Sequence, residues 1–167
     1  MSDKTEELLQ LLQSLGIETT TIDHEAAFTV EEQSQHVKIN GNLTKNLFLK
    51  DKKYGYYLVT VLSTRDVNLK TVGKLLKLSG ANLRFGEEDL LLEKLGVIRG
   101  AVSPLALIND KNNEVKFCID SELLLGDNIN IHPLRNDKTT SLKPNDLQIF
   151  LDHVNHKPFV LDFNTDI

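Results

Sequence analysis

The chain has 167 residues, 40% of them hydrophobic and 26% charged, with 19 basic and 24 acidic side chains and a net charge of −5. That composition suits one soluble domain with a real core, is too short for two comfortable ones, and differs from that of a disordered chain. No run of about 18 apolar residues is present, so no membrane-spanning helix is expected, and the acidic balance argues against sequence-blind binding to nucleic acid, which rests on phosphate neutralisation.

The charged start Met1-Ser2-Asp3-Lys4-Thr5-Glu6-Glu7 lacks the basic-then-apolar order of a signal peptide. Cys118, the single cysteine, cannot close an internal disulfide, which fits a reducing, cytoplasmic setting. Positive charge gathers mid-chain at Lys38, Lys45, Lys50, Lys52 and Lys53, then at Lys70, Lys74, Lys77 and Arg84. Acids cluster elsewhere, at Glu6-Glu7, Glu31-Glu32 and Glu87-Glu88-Asp89. A solvated lysine-rich face is the ordinary outcome of such a pattern.

Leucines at 8, 9, 11, 12 and 15 predict a first helix from Asp3 to Leu15, stopped by Gly16. Thr19–Ile22 is β-branched and reads as a short strand. Thr29 with Glu32 forms a capping box for a short helix, and Gly41-Asn42 marks a loop. Asn46–Lys50 and Tyr56–Leu62, joined by a charged turn, read as a hairpin. A helix over Asn68–Leu78 is followed by a short strand at Leu83–Phe85. Gly86–Leu95 is a second helix with acids first and Lys94 last, as the helix dipole favours. Val115–Asp120 alternates as a strand, with Val115, Phe117 and Ile119 on one side. Asn128–His132 and Thr139–Leu142 are two more strands, Pro144 opens a last helix, and Pro158–Phe163 can dock as an edge strand. No repeat or linker divides the chain. The expectation is a single α/β domain spanning 1–167, with a mixed, mostly antiparallel central sheet and surrounding helices.

Between Leu95 and Asn109 lies a stretch that is a poor helix and a poor central strand. Gly96 and Gly100 flank apolar residues and Arg99, and Gly100-Ala101-Val102-Ser103-Pro104 follows. Glycine opens backbone angles closed to other residues, while Pro104 fixes its own φ and restricts Ser103 before it. Such a segment is either an ordinary turn between buried elements or a rigid loop presenting bare N–H and C=O groups to a small polar ligand.

Several constellations are missing: a phosphate-binding P-loop, a dinucleotide fingerprint, and the Gly-x-Ser-x-Gly elbow of serine hydrolases. His153 and His156 lack a third ligand at metal-binding spacing, which favours a structural or surface role. Cys118, inside an apolar strand, reads as a core residue. What remains are polar residues beside strand ends: Lys45-Asn46 before the hairpin's first strand, and His132 with Pro133 and Asn136 closing another. Singly, each also fits a plain role as a solvated lysine, a turn asparagine or a backbone-satisfied histidine.

Together, Thr44-Lys45-Asn46-Leu47-Phe48-Leu49, the Gly-x-x-x-Pro from Gly100 to Pro104, and Ile131-His132-Pro133 with Asn136 resemble the YbaK/ProX-type prolyl-tRNA editing domains. The resemblance runs over nearly the whole chain and is closest to the free-standing deacylases of alanyl-tRNA(Pro). It implies a YbaK-type fold and a hydrolase that cleaves the ester between alanine and the terminal adenosine of mischarged tRNA(Pro). It further implies no cofactor, no metal, no covalent enzyme intermediate and no membrane, with prolyl-tRNA synthetase as a further partner and the oligomeric state open. By the same resemblance, Lys45 sits by the terminal adenosine and counters charge developing on the ester, and Asn46 orients substrate or water. The Gly100–Pro104 backbone (Gly100, Ala101, Val102, Ser103, Pro104) binds the aminoacyl group. His132 lines its pocket, with Phe28 and Val30 as its apolar wall. The rivals are a Cys-tRNA(Pro) deacylase of the same family and a non-catalytic adaptor for tRNA or synthetase.

Overall fold

The computed structural model of the chain describes residues 4–25 and 41–165. Among these the chain forms α1 Lys4–Ser14, β1 Thr20–Asp23, β2 Asn42–Asp51, β3 Gly55–Leu62, α2 Leu69–Leu75, β4 Arg84–Phe85, α3 Glu88–Leu95, β5 Val115–Asp120, β6 Ile129–Ile131, β7 Lys138–Leu142, α4 Pro144–His153 and β8 Phe159–Leu161. Tight 3-10 segments cover Pro104–Asn109 and Ser121–Leu124. Phe28, Val30 and the Thr29–Glu32 capping box lie outside the described residues.

All the strands join one sheet in the order β1-β7-β6-β2-β3-β5-β8, with β4 on the end of β2. Pairing is antiparallel for β1–β7, β6–β7, β2–β3 and β2–β4, and parallel for β2–β6, β3–β5 and β5–β8. The mixed, mostly antiparallel sheet expected from the sequence is what forms, and the apolar tail docks as edge strand β8.

Because successive strand residues face opposite ways, the apolar residues divide into two layers. On one face Leu58, Phe117, Ile119, Ile129 and Ile131 pack under Leu8 and Leu12 of α1, Leu95 of α3, Leu105 of the 3-10 segment and Phe150 of α4. On the other, Leu49, Val59, Val61, Cys118 and Leu161 are covered by Val72 of α2 and by Leu83. Cys118 is fully buried, and desolvation pushes its thiol pKa up to about 12. It is a core residue, as its place in an apolar strand suggests.

Buried carboxylates fasten the connections. Asp51 accepts from the Asn82, Tyr54 and Lys53 amides at 2.7, 2.9 and 2.8 Å, tying the hairpin turn to the chain entering β4. Those amide bonds, from Asn82 first and Tyr54 next, hold its carboxyl below the ordinary range. Asp120 accepts from Arg65 Nε at 2.5 Å and from the Leu62 and Glu122 amides at 3.2 and 3.1 Å. Asp110 accepts from the Glu114 and Val115 amides and meets His156 Nε2 at 2.9 Å. His156 therefore serves the fold.

Most boundaries shift by one or two residues, and two shift by three or more. β2 begins at Asn42 and not at Asn46, so Lys45 and Asn46 lie within the strand and Asn42 is no loop residue. The Asn42 amide donates to Asn128 O at 2.8 Å, and this contact with a distant strand recruits polar residues without an apolar alternation. Gly41 makes the approach possible: its φ is +100°, and a Cβ there would lie 2.5 Å from Asn128 O. Helix α2 stops at Leu75 because Lys77 turns to φ +59°, with Leu78 N–H on Gly73 O at 2.9 Å and Lys77 N–H on Lys74 O at 3.0 Å.

Candidate active site where two strands part

β2 and β6 run parallel but pair only through Asn42–Ile129 and Leu43–Asn130. Beyond that point they part, and this edge of β2 regains a partner only where β4 joins at Leu49. Crevices beyond the carboxyl ends of parallel strands are where open α/β sheets take ligands. Lys45 stands two residues past Leu43 and His132 two past Asn130, so both project at the mouth of the gap from neighbouring strands, on the same face. That face is the α2 side, since Lys45 registers with Val61 of the second core layer. Lys45 is half-buried and has no carboxylate partner among the described residues.

His132 is 6% exposed. Its Nδ1 lies 2.8 Å from Lys138 O; a carbonyl can only accept, so Nδ1 carries the hydrogen and Nε2 keeps a lone pair. Burial lowers its pKa most, the Lys138 bond opposes this, and the neighbouring His24 lowers it further. The imidazole is thus neutral at pH 7 and offers an acceptor at Nε2. The His24 ring lies 6.3 Å away. It donates from Nδ1 to Glu25 O at 2.7 Å, and its Nε2 lies 2.8 Å from Thr139 Oγ1.

The glycine-proline loop is tied directly to this histidine. Ser103 is fully buried; its Oγ donates to His132 O at 2.6 Å and accepts from Leu105 N–H at 3.1 Å. Gly100 occupies the third position of a turn closed by Ala101 N–H on Ile98 O at 3.1 Å, with φ +91°, where L-residues are strained. Ala101, Val102 and Pro104 have buried side chains. The Val102 and Ser103 amides and the carbonyls of Gly100, Ala101 and Val102 make no hydrogen bond among the described residues. What this loop has to offer is peptide groups.

Asn46 is placed otherwise. As the next residue in the strand it projects to the face opposite Lys45, where Thr60 Oγ1 donates to its Oδ1 at 2.5 Å and its Nδ2 reaches Thr44 Oγ1 at 3.5 Å. Thr44 Oγ1 in turn donates to Asn130 O at 2.9 Å, the last link between β2 and β6 before they part. In this arrangement Asn46 braces the fork. The threonines Thr44, Thr60 and Thr139 escape sequence reading, and only their alternation with apolar residues in strands could have flagged them. Asn136 Nδ2, past the Pro133 turn, is buried without an acceptor among the described residues.

Among the described residues, Lys45 has no carboxylate partner, His132 offers an acceptor at Nε2, and the loop tied to His132 O leaves peptide groups without hydrogen bonds. The Ser103 hydroxyl is committed to a carbonyl, and the Cys118 thiol is buried and hard to ionise. Neither is an activated nucleophile.

The model of the aminoacyl-tRNA editing domain family matches residues 24–150. The chain is 42% identical over 167 residues to the prolyl-tRNA synthetase associated domain-containing protein 1 of Mus musculus, covering 98% of each. It is 32% identical over 148 residues to the prolyl-tRNA editing protein ProX of Acetoanaerobium sticklandii, covering 87% of this chain and 89% of that protein. In fold it matches the crystal structure of a candidate trans-editing enzyme for prolyl tRNA synthetase, with TM-score 0.69 at 20% identity over 97% and 98% of the two chains.

Proposed function

The chain belongs to the aminoacyl-tRNA editing domain family, and from that premise we propose that it is a trans-editing hydrolase that removes alanine from mischarged tRNA(Pro). The observation that carries the reading is the fork itself: Lys45 within β2 and His132 just past the end of β6, with the Gly100–Pro104 loop tied to His132 by Ser103.

A synthetase pocket built for proline cannot strongly reject the smaller alanine, because a missing methylene is worth only about 1–3 kcal/mol. A second site that admits alanine and excludes the pyrrolidine ring restores accuracy. Bare peptide groups at Gly100–Ser103 serve such a sieve, since they grip without side-chain bulk. In the proposed reaction water adds to the ester carbonyl and the bond to the ribose oxygen breaks, giving free alanine and a terminal hydroxyl on the tRNA. The Lys45 ammonium offsets charge developing on the carbonyl oxygen. His132 Nε2 accepts a hydrogen bond from the aminoacyl group, and the free amides of Val102 and Ser103 polarise the ester.

The test is hydrolysis of tRNA(Pro) charged separately with alanine, cysteine and proline. Rapid release of alanine with proline spared is expected. Faster release of cysteine would reassign the substrate, and no release from any of the three would leave a binding role only.

A further inference from the structure

Beside α2 lies a groove of about 710 Å³. Leu69, Leu78 and Leu83 give it an apolar lining, and Lys70, Lys74 and Lys77 give it charge; no acidic side chain lines it. The three lysines are exposed, and none has a carboxylate partner among the described residues. In a chain of net charge −5 this is a concentrated positive surface. Lys70 and Lys74 are one helical turn apart. Lys77 follows in the left-handed region at φ +59°, a place glycine fills at lower cost and where the chain keeps a cation.

Lys70 and Lys74 lie about 6 Å apart along the helix axis, and Lys77 follows just past the helix end. Val72, on the inner side of α2, packs in the same layer as Val61, the register partner of Lys45. The groove and the catalytic lysine therefore lie on one side of the sheet. We propose that this groove takes the phosphate backbone of the acceptor stem of tRNA, so that the 3′ end is delivered to the fork from the α2 side. The proposal rests on the editing reading for the identity of the RNA, while the surface itself is argued from charge and placement.

The test separates the two. Binding of uncharged tRNA(Pro) is measured across a salt series for the wild type, for Lys70→Ala/Lys74→Ala/Lys77→Asn, and for Lys52→Ala/Lys111→Ala/Lys157→Ala. The last changes net charge equally at exposed lysines outside the groove; a melting curve accompanies each. The groove variant is expected to bind at least tenfold more weakly at low salt. Its slope of log affinity against log salt should fall by about 2 to 3, at about 0.7–0.9 per phosphate; the control should bind within twofold of wild type. In turnover the groove variant should raise KM for alanyl-tRNA(Pro) and leave unchanged the hydrolysis of an alanyl ester on a short stemless oligonucleotide. Unchanged tRNA binding, an equal loss in the control, no tRNA binding by the wild type, or an equal loss on the stemless ester would each overturn the groove. A wild type that binds tRNA through the groove yet hydrolyses no ester would overturn the editing reading and leave the groove standing.

Discussion

Ser103→Ala isolates the link between the glycine-proline loop and His132. The hydroxyl is fully buried, donates to His132 O at 2.6 Å and accepts from Leu105 N–H at 3.1 Å. Its removal takes two hydrogen bonds and leaves a carbonyl and an amide facing a methyl group. Each buried polar group left unsatisfied costs about 1–3 kcal/mol, so a loss of about 2–6 kcal/mol is expected. Because a domain has about 5–15 kcal/mol in all, activity is compared where the unfolding curves show the variant folded. Activity should nonetheless fall tenfold or more, because displacing a substrate-positioning loop by about 1 Å can cost roughly a hundredfold in rate. Urea unfolding beside kcat/KM on alanyl-tRNA(Pro) reads both quantities. Full activity with the predicted destabilisation would show that the tether serves the core and not the site. Unchanged stability would refute the accounting itself.

Gly100→Ala places a Cβ at φ +91°; it should cost about 1–2 kcal/mol of stability and lower turnover beyond that, which a melting curve run with the assay separates. His132 is held neutral by burial, so the native imidazole binds a proton less readily than the unfolded one, which titrates near about 6.5. Its contribution to stability is complete above that pH and is lost as pH falls toward the depressed native value. Between pH 7.5 and 5 the wild type should therefore lose more melting temperature than His132→Gln, and parallel curves would contradict the assignment. Asp110→Ala removes the acceptor of two amides and the partner of buried His156. Each group left buried and unpaired costs about 1–3 kcal/mol, which chemical unfolding would measure.

Strands with apolar alternation were legible in the sequence: β3, β5 and the hairpin partner segment of β2 all stand close to where the residues point. The first half of β2 was not, because Asn42, Thr44, Lys45 and Asn46 carry no alternation and the strand forms through pairing with β6, far away in the chain. The same fact moved Lys45 and Asn46 from a strand approach into the strand itself and sent them to opposite faces. Their adjacency in sequence does not reveal that the period of two turns their side chains to opposite faces. At the loop, Gly100 and Pro104 announced special backbone, and Gly100 does adopt a positive φ. That Ser103 is spent on His132 O depends on tertiary placement, as does the neutrality of His132, which follows from Lys138 and burial. Lys77 in the left-handed region, where the chain could have used Gly80 three residues later, left no mark in helical periodicity.

We propose that the Lys45 ammonium, which has no carboxylate partner among the described residues, stabilises charge on the ester during hydrolysis. Single-turnover deacylation of alanyl-tRNA(Pro) by wild type and Lys45→Ala, at saturating protein and with matched melting curves, measures this directly. Loss of one such electrostatic contact should slow the step by about a hundred- to a thousandfold with the fold unchanged; equal rates for the two proteins would contradict it.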